Sequence, residues 1–487
     1  MKKYMMAVCC LLSIHTFAQK KNKTAEKFSQ TILADDLKNH LYILAAPDME
    51  GRETGTAGQR KAAEYLKQQF AKIGLTPGNN GSYEQFYPFY KDTLKESQLI
   101  INGKQNEFGK DFTLSPTSFV NSKISASEIL YSSANDTVTL IKEKVVLIKD
   151  GLYTPADLLK LFKREPKLIL FLQSDFEKYA SVAERTSRMY FRKPVNNRTI
   201  VPVLRISNEL GKLIVKDDWA SLTDKTLTSK SYASDLQLNI TTETLTIIAS
   251  NVLGMIEGTD KKDEWVIISA HYDHIGMNNG VVNPGADDDG SGTVGLLELA
   301  EAFAKAKAAG KGPRRNILFL SVSGEEKGLW GSEYYSNHPV YALDKTSLDI
   351  NIDMIGRKDD KLNSIDSNNH VYLIGDDKLS SELPKYVDSI NNLYIKLITD
   401  RKYNDPNDPN RLYFRSDHYN FARKGVPIIF FFDGIHKDYH KPADTPDKIN
   451  YDLYEKRTRL VFFLAWEAAN RNALFVRDKP LADVPTR

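Results

Sequence analysis

A chain of 487 residues is longer than one hydrophobic core usually organises, so its length predicts about two domains. Hydrophobic content of 41% and charged content of 26% are those of a soluble globular protein. The formal net charge is only +3 and no long basic run occurs, which argues against nucleic acid as a partner, because such binding needs a clustered electropositive face.

The chain opens with Lys2 and Lys3, then an apolar run from Met5 to about Phe17, then the small residue Ala18. This three-part pattern predicts a secretory signal peptide over residues 1–18 and a secreted or periplasmic product. The run falls short of the roughly 20 apolar residues that span a bilayer, and no later segment reads as a membrane span. Cys9 and Cys10 are the only cysteines, so cleavage would leave no thiol for disulfides or nucleophilic chemistry. Neither has the small-residue context of a lipid anchor. Cleavage would also remove two lysines and no acid, leaving a formal +1.

After a Lys-rich linker, Asp35–Leu44 and Gly58–Ile73 carry apolar residues at helical spacing, separated by a loop with Pro47 and Gly51–Gly58. The first part of the main domain is placed at residues 24–93. Over 94–238 the texture changes to short segments. Val145–Lys149, Leu168–Leu172 and Val201–Ile206 read as strands, with a helix at Pro155–Phe162, so this stretch is expected to be an inserted smaller α/β or β-rich domain. From 239 to 487 the main domain resumes. Trp265–Ala270, Asn316–Val322, Leu348–Ile352, Val371–Ile374 and Val426–Phe432 read as strands buried on both faces. Ser291–Ala308, Ser380–Asn392 and Asn450–Asn470 read as helices. The alternation predicts an α/β fold, with a mixed, mostly parallel central sheet flanked by helices on both faces. Ligands of such sheets sit beyond the carboxyl ends of the strands.

Polar residues follow those strands in a consistent pattern. His271-Tyr272-Asp273 comes directly after one, Gly324-Glu325-Glu326 after a second, Asp353 ends a third, and Tyr439-His440 lies a short loop beyond a fourth. One acid at a strand end is ordinarily a cap or turn residue. Four in register point to side chains converging at one sheet edge. A further acidic run, Asp287-Asp288-Asp289, leads into the helix from Ser291. Asp287, Asp289, Ser291, Gly292 and Glu298 fit positions 1, 3, 5, 6 and 12 of a calcium-binding loop. The Gly- and Asn-rich stretch before them cannot supply the incoming helix that motif requires, so the run is assigned to the edge cluster instead.

Five segments resemble the M28 family of zinc aminopeptidases and carboxypeptidases: Ser269-Ala270-His271-Tyr272-Asp273-His274, Gly285-Ala286-Asp287-Asp288-Asp289, Gly324-Glu325-Glu326, Asp353-Met354 and His440-Lys441-Pro442-Ala443-Asp444-Thr445. They stand in family order, and the resemblance covers about residues 28–90 and 240–475. It is similar to members with a protease-associated insert, which would account for the middle stretch. The resemblance implies two zinc ions, with Asp287 as bridging carboxylate, His271 and Asp353 on one ion, and Glu326 and His440 on the other. It also implies a cis peptide bond at Asp287-Asp288. His nitrogens and carboxylates suit zinc, although these ligand types also admit cobalt or manganese.

Within that scheme Glu325 is the general base for a metal-bridging water, and Asp273 accepts a hydrogen bond from the far nitrogen of His271. Tyr439 is the candidate oxyanion donor, and His274 is expected to support the site without ligating metal. Arg411, Tyr413, Ser416, Asp417, His418 and His436 are candidate pocket residues. Asp405, Asn407 and Asp408 read as a turn. The expected activity is hydrolysis of a terminal peptide bond of a peptide or protein substrate. Aminopeptidase is preferred over carboxypeptidase because acidic residues near zinc can also hold an ammonium. Two alternatives are a glutaminyl cyclase of the same fold, using one zinc, and a non-catalytic ectodomain.

Overall fold

A computed structural model describes residues 20–481, apart from 116–117, 135, 137, 181–186, 193–199, 224–225 and 363–364. The expected signal segment lies outside the described residues. Among those described, no helix is long and apolar enough to cross a membrane. The chain divides into two compact units, one made of residues 1–87 with 249–487 and the other of 88–248. The second unit extends beyond the expected 94–238 at both ends.

In the first unit, helices α1 (Ala34–Leu44) and α2 (Ala57–Lys72) precede the sheet. Strand β1 (Glu84–Ile101) leads out of this unit. In the second unit, β2 (Ser122–Tyr131), β3 (Val145–Lys149), β4 (Leu168–Leu172) and β5 (Val203–Ile206) pair in that order, all parallel. Helix α3 (Pro155–Lys163) joins β3 to β4 and begins with a capping box between Thr154 and Asp157. Helix α4 (Asn208–Val215) places Leu210 and Ile214 in a core with Leu147, Leu170 and Leu204. This unit is α/β. The long strand β6 (Lys230–Ile256) pairs antiparallel with β2 and then returns to the first unit.

There β7 (Lys261–His271), β8 (Arg315–Val322), β9 (Thr346–Ile352), β10 (His370–Ile374), β11 (Ile398–Asp400) and β12 (Ile428–Phe432) form the site-bearing sheet. Its order is β11-β10-β12-β9-β7-β8-β6. The four central strands are mutually parallel, while β10 and β6 run antiparallel to their neighbours β12 and β8. The central strands are largely buried on both sides because both faces are covered, although one face of β9 carries the buried polar residues Ser347, Asp349 and Asn351. Val266 and Ile268 enter a core shared with α1, α5 (Gly292–Ala308) and α6 (Tyr451–Asn470), whereas Trp265 and Ile267 enter the opposite core with Leu318, Phe430 and Phe432. Each such side chain, once buried, contributes about 1.5–3 kcal/mol.

Because the chain passes from β7 to β8 on one side and then to β9 on the other, the strand order reverses at β7. A crevice opens at the carboxyl ends of strands at such a point. The turn before α5 is packed so tightly that a Cβ on Gly292 would lie 2.3 Å from an Asp289 carboxylate oxygen and from the Ile352 carbonyl. Asp289 uses this closeness, accepting from Gly292 N at 2.8 Å and so satisfying the first N–H of α5.

Candidate metal centre

The residues predicted at the sheet edge meet there. His271 is the last residue of β7, Asp353 follows β9, Glu325 and Glu326 follow β8, and His440 lies in the loop after β12. One donor cluster contains His271, Asp288 and Asp353. His271 Nε2 lies 3.5 Å from Asp288 Oδ1 and 3.6 Å from Asp353 Oδ1. A second contains His274, Asp288 and Glu326. His440 joins it, with Nε2 3.0 Å from Asp288 Oδ2 and 3.1 Å from Glu326 Oε2. Asp288 therefore offers one oxygen to each cluster.

This corrects the expectation for Asp287. Its carboxylate faces away from both clusters, accepting from Gly356 N at 2.8 Å with one oxygen and lying 3.3 Å from His436 Nε2 with the other. The three consecutive aspartates diverge because each is tied differently. The Asp444 carboxylate accepts from the backbone N–H of both Asp287 and Asp288, at 3.0 and 3.2 Å. Asp289 accepts from His271 N, Gly292 N and Met354 N. Only the middle side chain is left to enter the site. The cis peptide bond is likewise Asp288-Asp289, one residue on from the expected position.

Other residues also differ from expectation. His274 is fully buried, with Nδ1 2.9 Å from Glu326 Oε1, which places it among the donors rather than behind them. His271 Nδ1 meets the backbone carbonyl of Asp273 at 3.2 Å, closer than the Asp273 carboxylate at 3.7 Å. That carboxylate instead accepts from Thr54 Oγ1 at 2.6 Å and from Glu325 N at 3.3 Å. The Tyr439 ring stacks on His440 with centroids 3.9 Å apart, and its hydroxyl accepts from Arg415 at 3.1 Å.

A pocket opens beside Asp288, Glu325 and Asp353, walled by Met354, Leu412, Phe430, Phe432 and Ile435, with Arg415 and Tyr439 also lining it. None of the expected pocket residues Arg411, Tyr413, Ser416, Asp417, His418 and His436 lines it. Arg411 and Tyr413 line a separate cavity with Asp405 and Asp408. Ser416 Oγ accepts from Asn351, Asp417 accepts from Ser332, and His418 meets the Tyr413 carbonyl at 2.9 Å. Asp405 and Asp408 accept from Asn407 N and Asn410 N, an ordinary pair of local turns. The sequence signal for the true lining was an apolar residue, Leu412, amid polar ones.

The electrostatics separate the adjacent glutamates. Burial pushes the Glu325 carboxyl well above the usual range, opposed by His271 and reinforced by Glu326 and Asp353. Burial also acts to raise Glu326, but the His274 and His440 rings hold it well below that range. Burial acts to lower His440, yet Asp288 and Glu326 outweigh it and the ring is pushed up to about 10.

A sheet of this topology gathers histidines and carboxylates at its switch point, a donor set suited to a metal ion. Residues 251–465, which carry most of the site, match the family model described as Peptidase family M28. The aminopeptidase YwaD of Bacillus subtilis is 24% identical over 56% of this chain and 53% of its own. A probable leucine aminopeptidase of Arthroderma otae is 30% identical over 44% of this chain and 56% of its own. The chain thus spans about half the length of these curated relatives. The solved structure of BSAP, a zinc aminopeptidase from Bacillus subtilis, shares the fold at a TM-score of 0.56 and 19% identity, covering 92% of this chain and 99% of that one.

Proposed function

We propose that the protein is a zinc-dependent exopeptidase, an aminopeptidase, holding two zinc ions. The observation that carries this reading is the placement of Asp288 between two donor clusters, one oxygen toward each. The fit to metal is good on the chemistry of the donors. His271 Nε2, His274 Nδ1, Asp288 Oδ2, Glu326 Oε1 and His440 Nε2 are all buried with no hydrogen-bond partner, an arrangement of orphaned atoms that bound cations would satisfy. His271, Asp288 and Asp353 would hold one ion, and Asp288, Glu326 and His440 the other, with His274 at hand. Bound zinc supplies Lewis-acid polarisation of the scissile carbonyl and lowers the pKa of water toward neutrality.

The chain's own groups do the rest. Glu325 lines the cavity without belonging to either donor cluster, so its carboxylate takes the proton of the attacking water and passes it to the departing amine. Glu326, kept ionised by two imidazoles, serves as ligand. Two neighbouring carboxyls driven apart in this way are the usual basis for dividing acid–base work from charge work. The Tyr439 hydroxyl accepts from Arg415, which leaves its own proton free for the developing oxyanion. The apolar wall formed by Met354, Leu412, Phe430, Phe432 and Ile435 accommodates the side chain of an apolar terminal residue, while the acidic edge receives the terminal ammonium. The signal segment makes the product extracytoplasmic, and the inserted unit is read as a protease-associated-type domain.

Hydrolysis of aminoacyl anilides is the test. Leucyl anilide should be cleaved, the activity should vanish on chelation and it should return with zinc. No cleavage across a broad anilide panel by folded, zinc-loaded protein would overturn the reading. Metal content near one zinc per chain, with cyclisation of an N-terminal glutamine, would favour the cyclase.

A further inference from the structure

Three of the donors, His274, Asp288 and Glu326, sit on the loops 272–274, 284–288 and 324–326, and a segment that carries no donor reaches all three. Arg52 is completely buried, and its guanidinium is held by backbone carbonyls alone among its hydrogen bonds. Nε donates to Tyr272 O at 2.8 Å, Nη1 to Pro284 O at 2.7 Å and Leu44 O at 2.9 Å, and Nη2 to Gly285 O at 2.9 Å. The planar fork thus pins the loop bearing His274 to the loop bearing Asp288. Its charge lies within reach of Asp273, Asp288, Asp289 and Asp444, offsetting the repulsion among carboxylates gathered in one place.

Thr54 makes the third connection. Its buried hydroxyl donates to Asp273 Oδ2 at 2.6 Å and accepts from Gly324 N at 3.1 Å. The other Asp273 oxygen accepts from Glu325 N, so one hydroxyl couples the neighbour of His271 to the start of the Glu325-Glu326 loop. Gly51 lets the segment approach: with φ 66°, it leaves no room for a side chain, since a Cβ would lie 2.5 Å from Gly276 O and 2.6 Å from Asn283 O. Gly276 N donates to Gly51 O at 3.0 Å, and His274 N to Arg52 O at 3.3 Å.

We propose that Gly51–Thr54 is a brace that holds the donor loops in their metal-binding arrangement before any metal arrives, with Arg52 and Thr54 as positioning residues. The inference rests on the two-zinc reading above. Groups that orient ligands in this way typically cost about 10–100-fold in metal affinity when removed.

The test strips the full chain of metal and titrates zinc back against a chromophoric chelator, with melting temperatures recorded for stripped and loaded protein. Thr54→Val and Arg52→Lys should each weaken zinc binding by about 10–100-fold. Stripped Thr54→Val should melt close to the stripped wild type. Thr54→Ser, which keeps the hydroxyl, should bind zinc as the wild type does. Wild-type zinc affinity in Thr54→Val would overturn the brace, as would Thr54→Ser failing to the same degree, or a drop in melting temperature of the stripped variant with zinc affinity unchanged. Should Arg52→Lys not fold, the Thr54 pair decides alone. If the wild type itself takes up no zinc, the metal reading fails, and the brace with it.

Discussion

The two donor clusters that share Asp288 are built from different material. His271 ends β7 and Asp353 follows β9, two hydrogen-bonded parallel strands, and their side chains are 1% and 10% exposed. The second cluster comes from loops: Glu326 and His274 beyond their strands, and His440 at a left-handed φ of 56° with its side chain 36% exposed. In the first, the sheet sets the donor positions directly. In the second, position depends on loop contacts, so its ion should exchange more readily.

The largest expected effect tests the residue the clusters share. Asp288→Asn should lose both ions and drop activity below ~0.1%, whereas Asp287→Asn, altered outside both clusters, should keep them. Equal zinc content in the two variants, by atomic absorption, would return the bridging role to open question. Next is Glu325→Gln, expected to keep both ions and lower kcat by about 10²–10⁴-fold. A near-normal kcat removes Glu325 from the chemistry. His440→Ala should lower zinc content from two to one and weaken binding by at least about 100-fold at the loop-built cluster alone. If graded chelation of wild-type protein empties the strand-built cluster first, the contrast between the two is wrong.

The smallest effect lies outside both clusters. Glu298, on α5, is buried with neither carboxylate oxygen hydrogen-bonded to a partner, and His40 Nε2 lies 3.8 Å away. Burial, with Glu301 and Asp36, pushes it up to about 8. A carboxyl raised in the fold stabilises fully below its unfolded pKa of about 4.5, and that contribution is lost as pH rises through about 8. Glu298→Gln should therefore melt within about 1 °C of the wild type at pH 5 and several degrees higher at pH 9, with zinc content unchanged. A melting difference independent of pH would refute the assignment.

The strands and the donors at their ends were legible because apolar runs stop abruptly at His271, Asp353 and Glu325-Glu326. Which of three adjacent aspartates enters the site was not. All are acidic and all are buried, and the choice is made by Asp444, some 157 residues away, fixing their backbone. His274 gave no sign of its place because a histidine beside a ligand looks the same whether it faces the metal or the core. Arg52 and Thr54 were invisible as well, since their contacts cross more than two hundred residues.

That separation has a consequence for biosynthesis. Arg52 leaves the ribosome 220 residues before the Tyr272 carbonyl it must grip, with all of the 88–248 unit made in between. At about 5–20 residues per second the interval is about 10–40 s, and His440 emerges later still. Any translation product that ends before His440 carries some of the donors but not the full set, so the metal centre proposed above cannot be completed until the last loop is made.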